Sequence, residues 1–513
     1  MNLRIACVGG GPGGLFFAAL AKQAHPEAEI TVFERNRAED TFGFGVVFSD
    51  ATLAGINAAD PVLRTALDDF GVHWDDIEVR LQGQTFGCGG NGMTAIVRKT
   101  LLQLLQERVI AAGVDLRFST EVTVDDPSTS SGHRLDGYDL VVACDGANSA
   151  IRERFADDFA PSFETATAKF IWFGTTYEFD GLTFVHERGE HGVFAVHGYP
   201  IAPGLSTFIV ETDEETWRRA GLDEFDTGQP PGASDLKSKE YLEKLFAQQI
   251  DGHRLVTNNS RWANFRTRRA ERWTRGNIAL LGDAAHTAHF SVGSGTKMAM
   301  EDAIALATAL SEHPGDVSAA LVAYEASARP PVEKIQGSAR PSLSWWEHFG
   351  RYHDTLEPWQ FAFHFMSRSI GAAKIERRDA GFVAAARASW KDSKGADVLA
   401  TAFPLGGHTL PGRRVDLDAV RRTGARLLEV EAPEAEADLG AARQRLQDEL
   451  EVKPDLVIVR GGSVLCRTLL SEEARLGAGV PTLLVEPEAS DDLVVTLVLS
   501  GRADLVAEEP ADD

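Results

Sequence analysis

Near the N-terminus, Gly9-Gly10-Gly11-Pro12-Gly13-Gly14 satisfies the pattern G-x-G-x-x-G, and Glu34 lies twenty residues beyond the last of these glycines. This spacing suits one chemistry, the binding of a dinucleotide. Gly9 permits a tight turn, Gly11 lets the backbone approach a pyrophosphate, and Gly14 lets a helix pack closely on a strand. Pro12 and Gly13 open that helix, whose N-terminus then faces the anion. Glu34 can accept hydrogen bonds from a ribose 2′- and 3′-OH, and as an acid it disfavours a 2′-phosphate at that place. Two further clusters carry acids beside glycines: Asp139-Leu-Val-Val-Ala-Cys-Asp145-Gly146-Ala-Asn148-Ser149-x-x-Arg152, and Gly282-Asp283-Ala-Ala-His286 behind the apolar run Ile278–Leu281. A turn cap would explain Asp145 alone, and a helix N-cap would explain Asp283 alone.

These residues need a scaffold to bring them together. Residues 3–8 read as a buried strand, Gly13 to about Gln23 as a helix, and Glu29–Phe33 as a second strand, the start of a doubly wound sheet. The pattern predicts a long helix from about Thr94 to Ala112 and a buried strand over Asp139–Ala143. Between about 166 and 212 the runs Phe170–Phe173, Leu182–Val185, Val193–Val196 and Thr207–Val210 are β-branched and aromatic, as in an antiparallel sheet. Residues 222–237, with Pro230-Pro231-Gly232, read as a loop. Helices dominate from there to about 400, after a returning segment at 277–310. Strand-like and helical stretches then alternate from about 405, as in a small α/β module.

The chain has 513 residues, enough for two or three domains. Its formal net charge of -25 argues against nucleic acid and anionic membranes as partners, because both need a basic footprint. The cysteines Cys7, Cys88, Cys144 and Cys466 show neither CxxC nor zinc-type spacing, so reduced thiols and no metal are expected. No apolar run reaches the ~20 residues that span a bilayer, and a cytoplasmic location is the default.

The glycine fingerprint, the Asp145-Gly146 motif and the Gly282-Asp283 motif, in this order, resemble the flavoprotein aromatic hydroxylases similar to 4-hydroxybenzoate hydroxylase. The resemblance covers residues 1 to about 330. It implies an α/β fold: a Rossmann-like FAD-binding domain (1–72, 94–165 and 263–330) with an antiparallel-sheet substrate domain (73–93 and 166–262). A helical region (331–404) and the small C-terminal α/β module (405–513) complete the division. FAD would then be held by Gly9, Gly11, Pro12, Gly13, Gly14, Glu34, Arg35, Arg98, Asp145, Gly146, Gly282 and Asp283. Asp283 would contact the ribityl chain, Asp145 would lie near the pyrophosphate, and Arg98 would meet the FAD backbone. Gly293, Gly295 and Thr296 open a helix whose N-terminus can lie against the flavin pyrimidine and stabilise the reduced anion. Several family members carry prolines shortly after the motif histidine, where this chain reads His286-Thr-Ala-His289-Phe290. His289 is therefore a candidate base or phenol contact, while His286 reads as structural. Trp172, His197, Tyr199 and Phe290 are candidate substrate contacts, although core packing explains Trp172 equally well.

Finer strings, including Phe33-Glu34-Arg35-Asn36-Arg37, Thr41–Asp50, Trp74–Ile77 and His286–Lys297, resemble the branch acting on ortho-substituted benzoyl-CoA thioesters. That resemblance implies NADH or NADPH and O2 as co-substrates, a C4a-hydroperoxyflavin as oxygen donor, and an aromatic acyl-CoA as substrate. Salicylyl-CoA hydroxylated at ring position 5 is the leading choice. 2-Aminobenzoyl-CoA, a free aromatic acid and a non-enzymatic flavoprotein are the alternatives. Residues from about 455 resemble the last strands of an old-yellow-enzyme-type barrel, yet a complete barrel needs about 250 residues and only about 110 follow residue 403. The acidic loops at 486–492 and 508–513 would repel a flavin phosphate, so the module is expected to be a remnant without its own flavin. Arg261, Arg266, Arg268, Arg269, Arg272 and Arg275 could meet CoA phosphates or pair with surface acids. A homodimer is left open.

Overall fold

The computed structural model describes residues 3–41, 43–122, 135, 137–226, 232–293 and 295–509. Two compact units emerge: residues 1–76 with 91–347, and residues 77–90 with 348–513.

In the first unit the apolar run at the N-terminus forms the strand Arg4–Val8, followed by the helix Pro12–Ala24 and the strand Glu29–Phe33. Its sheet runs Thr274–Arg275, Ile278–Leu280, Leu140–Ala143, Arg4–Val8, Glu29–Phe33, Asp115–Arg117, with every pairing parallel except the first. Chain order reverses between Arg4–Val8 and Leu140–Ala143. Ligands of doubly wound sheets bind at the carboxyl ends of the strands at such a switch. Both Gly9 and Asp145 lie just beyond those ends. Burial of the Leu15–Ala21 face and of Met298, Met300, Leu306 and Leu310 from the helix Gly295–Glu312 fills the core beneath.

The predicted antiparallel sheet is present. Leu182–Gly189, Gly192–Ala202, Leu205–Thr212 and Pro161–Thr175 pair in that order, and Ala263–Ala270 joins Pro161–Thr175. Period-two alternation gives it two unlike faces. Ile171, Phe173, Val185, Phe194, Val196, Phe208 and Val210 enter one apolar core with Leu242, Phe246 and Ile250. The opposite face carries Phe170, Trp172, His197, Tyr199 and Glu211.

Two expectations need correction. The helix expected from Thr94 begins at Arg98, because Met93–Val97 is a strand paired with Gly45–Ser49 and Val72–Trp74. Thr94, Ile96 and Val97 are β-branched and prefer that pleated setting. The loop expected over 222–237 ends earlier, since Asp235 caps the helix Leu236–Leu245 by accepting from the Ser238 N–H at 3.0 Å. Pro230 and Pro231, like Phe42, Ser294 and the last four residues, lie outside the described residues.

The second unit contains a five-stranded, all-parallel sheet in the order Arg414–Val415, Leu505–Glu508, Thr482–Glu486, Leu456–Arg460, Leu427–Glu431. Its inner strands Leu456–Arg460 and Thr482–Glu486 are buried on both faces, as parallel strands flanked by helices must be. Among the described residues no helix is long and apolar enough to cross a membrane.

Candidate active site

The glycine loop behaves as its spacing requires. Gly9 has φ +117°, and a Cβ there would fall 2.2 Å from the Cys144 carbonyl oxygen, so the two strand ends can meet only at glycine. A Cβ on Gly14 would lie 2.5 Å from Cys144 Sγ, which confirms the close approach of helix to strand. Gly11 differs: nothing lies within 4 Å of its Cβ position, and as N-cap it offers no side-chain hydrogen bond. The helix therefore starts without a side-chain cap and with free space beside Gly11, as an anion at its N-terminus would need.

Acids surround this opening. Glu34 accepts from the Gly10 N–H at 2.7 Å and from Asn36 at 2.8 Å (backbone) and 2.7 Å (Nδ2), which fixes its carboxylate at the strand end. Arg35 beside it is exposed. Asp145 Oδ2 accepts from the Ala150 N–H at 2.8 Å, while its Oδ1 is buried with no hydrogen-bond partner among the described residues. Gly146 follows with φ +84°. Arg152 is buried and donates to the carbonyls of Ala147 and Ala284, both at 2.9 Å, tying the second motif to the third. There Asp302 Oδ2 accepts from the Gly282 N–H at 2.9 Å and lies 2.7 Å from His286 Nε2. His286 is thus a structural brace.

Asp283 stands in an otherwise buried segment but is itself accessible. Desolvation nevertheless raises its carboxyl above the usual range, against His286, Arg98 and Arg268, which favour the anion. Arg98, first residue of its helix, is close enough to act on both Asp283 and Tyr199. Beyond Asp283, Gly293 and Gly295 present open space at their Cβ positions, and Thr296 lies in the first turn of the Gly295–Glu312 helix. A helix start without a side-chain cap, a strand-end carboxylate, a buried Asp145 oxygen with no hydrogen-bond partner among the described residues and an accessible Asp283 together fit an adenine-linked flavin.

The second face of the antiparallel sheet builds an aromatic wall. Half-buried Trp172 and Phe290 lie 5.5 Å apart, Phe170 and Phe290 5.0 Å apart, and both Trp172 and Phe290 pack on a cluster containing Phe44, Trp74 and Tyr199. Tyr199 stacks on Trp74 at 6.1 Å, and burial pushes its phenol up to about 12, so it stays protonated. Behind the wall lies a buried polar layer. His197 Nε2 is 2.7 Å from Glu211 Oε1, and His289 Nε2 is 3.7 Å from Glu211 Oε2. His289 Nδ1 is 2.7 Å from Ser291 Oγ and accepts from the Ser291 N–H at 3.3 Å. Trp346 covers His197 at 4.3 Å between ring centres.

The structure brings His197, His289, Trp172, Tyr199 and Phe290 into one neighbourhood. Glu211 was not foreseen. The strand was read as ending at Val210, although alternation from Trp172 and His197 would have placed residue 211 on the same face. All six clustered arginines contact the protein: Arg261 donates to the Ala233 carbonyl, Arg269 pairs with Glu164, Arg272 donates to the Asp157 and Asp158 carbonyls, and Arg275 pairs with Asp158. Arg266 lies over Phe163, and Arg268 donates to Asn148 at 3.2 Å.

Residues 2–338 match a protein family described as the FAD binding domain. A salicyloyl-CoA 5-hydroxylase of Streptomyces sp. is 57% identical over 521 residues, covering 98% of this chain and 99% of that protein. A 3-hydroxy-4-methyl-anthranilyl-[aryl-carrier protein] 5-monooxygenase of Streptosporangium sibiricum is 37% identical over 343 residues, covering 67% of this chain and 89% of that one. Among solved structures, the tetrameric form of 2-methyl-3-hydroxypyridine-5-carboxylic acid oxygenase superposes with a TM-score of 0.54 at 21% identity, over 67% of this chain and 93% of the other. At that identity the superposition speaks for the fold.

Proposed function

The chain belongs to the family of that FAD binding domain, as an FAD-dependent aromatic monooxygenase, and from this premise we propose that it converts salicylyl-CoA to the 5-hydroxy product. NAD(P)H and O2 are the co-substrates of its class. One observation carries the reading: a single short stretch supplies both the accessible carboxylate of Asp283 and the side chains His289 and Phe290 packed at the aromatic wall. Cofactor and ring are thereby held by one short segment. The 57% identity to a salicyloyl-CoA 5-hydroxylase along almost the whole of both chains supports the same substrate.

When bound, the flavin supplies the electrophilic oxygen. This chain's residues do the rest. Trp172 and Phe290 flank the ring and exclude water, and Arg98 and Asp283 orient the cofactor. His289 takes the proton of the ortho hydroxyl, so that electron density rises at the carbon para to it, ring position 5. A base in that role speeds such a step by about 10²–10⁴. Gly9, Gly11, Pro12, Gly13, Gly14, Glu34, Arg35, Asp145, Gly146, Gly282, Gly293, Gly295 and Thr296 hold the flavin in this reading, and His197 and Tyr199 shape the pocket.

The four-part domain division is part of the proposal, as are a cytoplasmic location and the origin of the C-terminal sheet. Its four longer strands are neighbours in sequence order, and the short Arg414–Val415 strand sits beside the last of them, as first and last strands do in a closed barrel. A remnant of an old-yellow-enzyme-type barrel would keep this arrangement.

The decisive experiment offers salicylyl-CoA, free salicylate and 2-aminobenzoyl-CoA to the purified yellow protein with NADH or NADPH, and reads product mass. Oxygenated salicylyl-CoA is expected. Turnover of 2-aminobenzoyl-CoA alone would reassign the substrate, and a colourless protein that takes up no FAD would end the reading altogether.

A further inference from the structure

Glu211 is 1% exposed and sits on the central strand Leu205–Thr212, directly across from Phe170 of the aromatic wall. Moving an ionised carboxylate out of water costs several kcal/mol unless its charge is answered. Here it meets two imidazoles, His197 at 2.7 Å and His289 at 3.7 Å, which are themselves 3% and 2% exposed. His289 is further defined from its other side. Because Nδ1 accepts from the Ser291 N–H, the neutral ring carries its proton on Nε2, the nitrogen facing Glu211. Ser291 Oγ lies 2.7 Å from Nδ1 and 2.9 Å from Ser342 Oγ, so hydroxyls extend the chain on the acceptor side. His289 also lines a small cavity with Thr267, Arg269, Gln336 and Arg340. Both arginines there are paired with other acids, Arg269 with Glu164 at 2.9 Å and Arg340 with Glu347 at 3.6 Å, which leaves Glu211 as the carboxylate facing the His289 ring.

We propose that Glu211 is the positioning residue for His289: its buried carboxylate, 3.7 Å from Nε2, favours the ring with its proton on that side and supplies the counter-charge for the imidazolium. The inference rests on the reading of His289 as proton acceptor given above. In the step it supports, the O–H bond of the ring hydroxyl breaks and the proton passes to His289 Nδ1, directly or by way of the Ser291 hydroxyl. The electron pair stays on the ring oxygen, and no electron leaves the ring at this stage. His197 Nε2 lies 2.7 Å from the other carboxylate oxygen of Glu211. Glu211 itself touches neither ring nor flavin in this scheme.

The test uses the flavin-loaded full chain and two variants, Glu211→Gln and the conservative Glu211→Asp. Salicylyl-CoA is titrated onto each at fixed pH, and the phenolate absorbance of the bound ring is followed across pH alongside kcat and KM. For Glu211→Gln the expected result is a kcat lower by about 10–100-fold, an unchanged KM within about twofold, and a bound hydroxyl that ionises only at higher pH. Glu211→Asp should recover part of both effects. A purely structural role would lower the yield of folded, yellow protein without moving the phenolate titration. A wild-type titration in Glu211→Gln overturns the proposal, and if that variant fails to fold, a wild-type titration in Glu211→Asp does so. If the wild-type enzyme itself leaves salicylyl-CoA unchanged, the substrate reading has failed instead, and the two failures are told apart.

Discussion

Each unit buries a glutamate against histidine, and the two clusters differ in what answers the charge. In the first unit Glu211 meets the imidazoles of His197 and His289, beside a half-buried aromatic wall. In the second, Glu472 is joined by His364 at 3.1 Å, by the Tyr352 hydroxyl, and by the Arg502 guanidinium at 3.5 Å. Arg502 also donates to Ser367 Oγ at 2.8 Å and to the His364 carbonyl at 2.9 Å. Burial would raise the Glu472 carboxyl, but His364, Arg502 and Tyr352 outweigh it and bring it down to about 2. Burial, and then Arg502, push His364 down to about 4, so at neutral pH it is uncharged and gives Glu472 a hydrogen bond. The charge that keeps Glu472 ionised is therefore Arg502's, which is permanent. A cluster closed by a guanidinium is a weld. One closed by imidazoles can take up and release a proton, and that is the property a hydroxylase pocket needs.

The contrast can be broken most forcefully at Glu472. Glu472→Gln keeps the volume but leaves Arg502 buried without its counter-ion, and should cost the second unit about 3–5 kcal/mol. Thermal unfolding and hydrogen exchange of the Val464–Glu472 helix would register it, while flavin stays bound in the first unit. At the other cluster, His289→Ala should leave flavin binding intact and lower coupled hydroxylation by about 10²-fold; unchanged product formation would remove His289 from the mechanism. Acidification sharpens the same distinction. A histidine whose folded pKa lies below its unfolded value stabilises the protein above about 6.5, and loses that contribution as pH falls toward 4. Between pH 7 and pH 5 the second unit should lose about 2 kcal/mol from His364, and His364→Gln should flatten that slope in melting curves. The smallest effect belongs to an exposed pair: Arg426→Ala breaks the 2.9 Å contact with Asp455 and should leave the melting temperature unchanged.

Where spacing along the chain is itself the signal, the sequence was a good guide. The glycine loop, Glu34, Asp145 and Asp283 each follow a strand end at short range. The start of the Arg98 helix was misjudged because Thr94-Ala-Ile-Val97 suits strand and helix alike, and only its pairing with Gly45–Ser49 decides. Glu211 escaped notice for a related reason. A polar residue after an apolar run reads as the end of a strand, unless the neighbouring strands reveal a face on which acid and histidine meet.

By itself, then, the sequence determined the cofactor: strand, glycine turn, helix and acid are local in the chain, and their backbone geometry follows from residue type and spacing. The tertiary structure decided which further side chains, Phe170 and Glu211, stand beside the candidates His197 and His289. Phe170, His197, Glu211 and His289 come from four separate stretches, and their meeting depends on antiparallel register and on a loop returning from the nucleotide domain. Charge compensation inside a protein is a matter of a few ångströms, and distances of that kind are set by packing between segments far apart in the chain.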